Sequence, residues 1–94
     1  MPLIPGALEL AAQGLLTSGD KTNRAYVGDD AQLDDALSPA LGHLLFDPQT
    51  AGGLLIAIAP EHADALLARL RARYTDAAII GRAVARGTRS LIVR

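Results

Sequence analysis

Leu54-Leu55-Ile56-Ala57-Ile58, closed by Gly53 on one side and Ala59-Pro60 on the other, is the stretch on which the fold turns. Five apolar residues in a row, of strand length and bounded by turn formers, read as a buried strand. The helix that follows has a clear start. Pro60 suits the first helical position, where its missing N–H costs nothing, and Glu61 faces the positive end of the helix dipole. Ala63, Leu66, Leu67 and Leu70 then form one apolar stripe, while arginines crowd the last turns. Ala78-Ile79-Ile80-Gly81-Arg82-Ala83-Val84 reads as a second strand. Gly87 marks a turn, and Ser90 to Val93 reads as a third strand. A parallel pairing across the helix calls for a right-handed crossover, and the short connection at Gly87 suits an antiparallel hairpin. The expected class is α+β: a small mixed sheet, strand–helix–strand–strand, with helices packed on one face. Both edges of so thin a sheet need cover or partners.

Upstream of this unit the pattern is helical. Pro5 suits a first helical turn, and Leu8, Ala11, Ala12 and Leu15 recur at helical spacing. Thr17-Ser18-Gly19-Asp20 carries turn chemistry that should stop this helix, and Arg24 to Val27 reads as a short extended piece. Asp29 or Asp30 can cap a second helix, with Leu33 and Leu37 on one face. Pro39 cannot continue it, because its ring clashes with the preceding turn. Ser38 can instead cap a further segment with Pro39 at its first position and Leu41, Leu44 and Leu45 facing inward.

Composition narrows the function classes. The chain has 94 residues and a formal charge of −1, with acids and bases interspersed, so nothing points to nucleic acid or an anionic membrane. Arginines do collect after Leu67, and they read as a solvated face. Cysteine is absent, which excludes thiolate metal sites and cysteine nucleophiles within these residues. No run is apolar and long enough to span a bilayer, and Met1-Pro2-Leu3-Ile4-Pro5 has no basic leader character. The expectation is a cytoplasmic protein. Asp29-Asp30 and Asp34-Asp35 read as solvated acid pairs. His43 and His62 have no ligand partner nearby in sequence: His43 should pack beside Leu44-Leu45, and His62 should sit exposed.

One segment is left over, Asp47-Pro48-Gln49-Thr50-Ala51-Gly52-Gly53. It is a loop by composition. Asp47 precedes proline and is biased extended, and the glycine pair permits positive φ or a close backbone approach. Asp47, Gln49 and Thr50 can present polar groups at one end of the apolar run. On the residues alone the loop reads as a turn in which Asp47 and Thr50 satisfy loop amides.

The run Asp47 to Leu55 closely resembles the DPQTSGGLL signature of the carboxy-terminal domain of selenophosphate synthetases (selenide, water dikinases). Ala51 stands where serine is usual. Leu3-Ile4-Pro5-Gly6-Ala7-Leu8-Glu9 resembles the family's entry to a helix, and Asn23 matches an asparagine that follows. Ser18-Gly19-Asp20 departs from the usual Gly-Gly-Thr. Pro60-Glu61 and Ile80-Gly81 also resemble the family.

The resemblance implies that residues 1–94 form part of such a carboxy-terminal domain, of the aminoimidazole-ribotide-synthetase type. The intact enzyme makes selenophosphate from selenide, ATP and water with Mg²⁺, and is usually dimeric. Asp47, Thr50, Gly52 and Gly53 are the implied nucleotide-side residues. No catalytic residue and no metal ligand carries over, so the chain alone is expected to be inactive and to bind no cofactor tightly. The implied partners are the amino-terminal nucleotide-binding domain and a second copy. The rival reading is a non-enzymatic assembly or stand-alone module on the same fold.

Overall fold

The structure, a computed structural model, describes residues 2–49 and 51–94. Its elements are helix α1 (Ala7–Ala12), helix α2 (Gly19–Val27), a 3₁₀ turn (Gly28–Asp30), strand β1 (Ala31–Leu33), helix α3 (Pro39–Phe46), helix α4 (Pro60–Arg71) and strand β2 (Leu91–Val93). The expected α+β class holds. The chain divides into two compact units, one of Ile4–Gly52 with Ala85–Arg94, the other mainly Gly53–Val84.

In the larger unit, α3 packs against both α1 and α2. Ala11, Ala40 and Phe46 are its buried apolar residues, and Asp20 is buried among them. The cap expected at Ser38 is present. Its hydroxyl accepts from the Leu41 amide at 3.2 Å with Pro39 at the first helical position, satisfying an amide that has no partner inside the helix. Leu41, Leu44 and Leu45 are half-buried.

Other expectations in this unit are corrected. The first helix ends at Ala12, before Thr17. Gly14 adopts φ 81°, a left-handed position glycine takes without strain, and Leu15 N–H returns to the Leu10 carbonyl at 3.1 Å. The stretch Arg24 to Val27, expected extended, is the last part of α2, which Gly28 ends at φ 53°. Nor do Asp29 and Asp30 cap a helix. They precede β1, which lies parallel to β2 with Ala31 opposite Leu91 and Leu33 opposite Val93. Arg89 donates to the Asp29 carbonyl, and Ser90 N–H to the Asp30 carbonyl at 2.9 Å, so these residues fix the register.

The smaller unit contains α4, whose half-buried residues are Ala63, Leu66, Leu67 and Leu70, the stripe expected from periodicity. Arg71 Nε donates to the Ala77 carbonyl at 2.9 Å and folds the chain back at the helix end. Leu54 to Ile58 and Ala78 to Val84, expected as strands, are irregular, and no hairpin forms at Gly87. The sheet is therefore two-stranded and parallel among the described residues, not mixed. A strand exists only where a neighbour supplies its ladder, and these apolar runs have none. Leu54 is 94% exposed and Leu55 82%.

Candidate functional site

One group of polar contacts in the larger unit lies where α2 meets α3. The sequence of α2, Gly-Asp-Lys-Thr-Asn-Arg-Ala-Tyr-Val, has too few apolar residues for a core-facing stripe. Its attachments are polar instead. Asp20 is 2% exposed, and its Oδ2 lies 2.7 Å from His43 Nδ1. With Asp20 as a carboxylate, which only accepts, Nδ1 is the donor of this pair. Asp20 Oδ1 has no partner among the described residues. One turn further, Asn23 Nδ2 donates to the Phe46 carbonyl at 2.8 Å. The Arg24 guanidinium stands 5.0 Å from the centre of the Phe46 ring, a cation–π distance.

These contacts converge on the entry to the loop proposed from sequence. Asp47 ends α3 with φ −64° and ψ 127°, the extended backbone expected before proline. Its Oδ1 accepts a hydrogen bond of 2.7 Å from the Thr17 hydroxyl. One oxygen of Asp47 is thus held from outside its own loop. Gly19 lies against Pro48, so close that a Cβ on Gly19 would come within 2.5 Å of Pro48 Cγ.

Of the other expected site residues, Thr50 lies outside the described residues. Gly52 and Gly53 are exposed and neither has positive φ, which corrects the conformational reason given for the pair. A Cβ at Gly52 would sit 2.7 Å from Gln49 Oε1, and at Gly53 the backbone borders open space. The sequence reading missed Thr17, Asp20, His43 and Arg24. No periodicity links Asp20 to His43 across 23 residues. His43, expected to pack beside Leu44-Leu45, is paired with the Asp20 carboxylate, which is distant in sequence.

Among the described residues no three Asp, Glu or His side chains gather as metal ligands. Near the loop entry, Asp20 is paired with His43 through Oδ2 and Asp47 with Thr17 through Oδ1. The donor set here does not fit a Mg²⁺ site. Among the described residues no helix is long and apolar enough to cross a membrane.

A family model described as AIR synthase related protein, C-terminal domain, matches residues 7–94. Among curated proteins, the chain is 42% identical to a selenide, water dikinase of Pelobacter propionicus, over 99% of this chain and 27% of that protein. It is 45% identical to the selenide, water dikinase of Burkholderia orbicola, over 89% of this chain and 24% of that protein, and 45% identical to that of Rhizobium meliloti, over 90% and 25%. The chain thus spans about a quarter of the length of the relatives it matches. No solved structure matches.

Proposed function

The chain belongs to the AIR synthase related C-terminal domain family, and from that premise we propose that it serves as the C-terminal part of a selenide, water dikinase, helping to wall the nucleotide cleft without supplying catalytic residues. The observation that carries this reading is the 42% identity with such a dikinase along 99% of the chain. The loop from Asp47 to Gly53 is the proposed contact with the nucleotide. Its root is fixed, and Ala51, Gly52 and Gly53 are exposed. Bare backbone at Gly52 and Gly53 suits close approach of a phosphate, and Asp47 and Thr50 are the polar residues proposed with them from the same stretch of sequence. ATP supplies the phosphoryl group in that reaction, and Mg²⁺ would be held by residues outside this chain. The proposed partner is the amino-terminal nucleotide-binding domain of the same enzyme. A dimeric, cytoplasmic enzyme is part of the same proposal.

A second reading, an assembly element, is favoured by the exposure of Leu54 and Leu55. Kinetics separate the two. In an intact dikinase carrying this sequence, Thr50→Val and Asp47→Asn should raise the KM for ATP or lower kcat with little loss of stability. The chain alone should form no AMP or selenophosphate above a protein-free control. Wild-type kinetics in both variants would reduce the loop to a structural turn.

A further inference from the structure

The loop entry is gripped at three consecutive residues, and every grip comes from one short segment about 30 residues upstream in the chain. Asn23 holds the Phe46 carbonyl, Thr17 holds the Asp47 carboxylate, and Gly19 makes room for the Pro48 ring. Gly19 and Asn23 lie four apart on α2, hence on one face of the helix. The hydrogen bonds end there: among the described residues, none holds Gln49 or residues 51–58. Among the described residues the loop's points of attachment all lie at its root, so the root sets the direction in which the chain leaves α3. Small displacements there would be carried along the chain toward Gly52.

We infer that Thr17, Gly19 and Asn23 are positioning residues that aim the Asp47–Gly53 loop. Their effect on the reaction rests on the reading of that loop as a nucleotide contact, whereas their effect on the loop itself does not. Each makes a different contribution. The Thr17 hydroxyl ties Asp47 Oδ1 to the segment that leads into α2. The Asn23 amide fixes the last carbonyl of α3, a group with no acceptor role left inside the helix. At Gly19 the missing side chain sets how closely Pro48 can approach, since any Cβ there would displace the ring.

The test pairs a local readout with a kinetic one. In the 94-residue chain, backbone NMR order parameters at Asp47 and Gln49 report on the root. Thr17→Val, which keeps the volume, and Asn23→Ala should lower them from the rigid range near ~0.85 to below ~0.6, with α4 unchanged. Gly19→Ala should shift the Pro48 ring resonances. In the intact dikinase, Thr17→Val should raise the KM for ATP about fivefold, the worth of one neutral hydrogen bond, with kcat within about twofold. Thr17→Ser, which restores the donor, should return KM to near wild type. Unchanged order parameters in both Thr17→Val and Asn23→Ala would overturn the inference. So would an ATP KM that responds to Asp47→Asn but not to Thr17→Val. If order falls while neither Asp47→Asn nor Thr17→Val moves KM, the positioning role stands and the nucleotide reading of the loop fails.

Discussion

Asp20 and His43 show how much one contact decides at the scale of single residues. The carboxylate is almost fully buried, while the imidazole is 34% exposed. The two variants of this pair are not equivalent. His43→Ala leaves a buried carboxylate with neither oxygen partnered, and that desolvation is uncompensated. We expect a loss of about 2 kcal/mol, reduced from the fully buried case because solvent reaches the imidazole side. Asp20→Asn removes the charge but keeps an oxygen that can accept from Nδ1, so its cost should be about 1 kcal/mol. Urea denaturation of both variants checks the order. A larger loss for Asp20→Asn would mean that His43 does not stabilise the carboxylate. Neither residue stood out in the sequence, because the contact depends on α2 lying across α3.

Among the elements, α3 bears most on the candidate site. It carries His43, the Phe46 carbonyl and Asp47, and its start is fixed by Ser38. Removing that cap by Ser38→Ala should cost about 1 kcal/mol, and Ser38→Asp should retain most of it. Chemical denaturation measures both; equal stability of Ser38→Ala and wild type would show that packing on α1 and α2 alone sets the helix start. The contrast with α2 is instructive. Helix α3 announces itself through Ser38-Pro39 and its leucines, all local signals. Helix α2 has no side-chain cap and little apolar surface, so its sequence reads as turn and extended chain. It is helical where its polar side chains meet α3, a case of tertiary contact overriding weak local propensity.

For the whole molecule, the main fact is unburied apolar surface. Among the described residues only Ala11, Ala40 and Phe46 are buried apolar side chains, while Leu54, Leu55 and Val84 are among those left open to solvent. The sheet has two strands, and the outer edge of each lacks a partner among the described residues. Such surfaces associate when nothing covers them. The chain alone should therefore self-associate, with the mass from light scattering rising with concentration and falling back in a Leu54→Lys, Leu55→Lys variant. A concentration-independent monomer would show that the chain covers these residues itself.

By itself the sequence determined the α+β class, the starts of α3 and α4, the half-buried stripe of α4, and the family, through Asp47 to Leu55 and its flanking matches. These depend on signals that act within a few residues: a capping hydroxyl, a proline at a helix start, a 3.6-residue apolar repeat, a short motif. The tertiary structure alone decided the helicity of α2, the parallel pairing of Ala31–Leu33 with Leu91–Val93, and the grip of Thr17, Gly19 and Asn23 on residues 46–48. It also decided that Leu54 to Ile58 is not a strand here. Each of these depends on a partner 23 to 60 residues away, present or missing. Local preference cannot specify such a partner, because a hydrogen-bonded ladder or a buried carboxylate is stable only once the distant group has arrived.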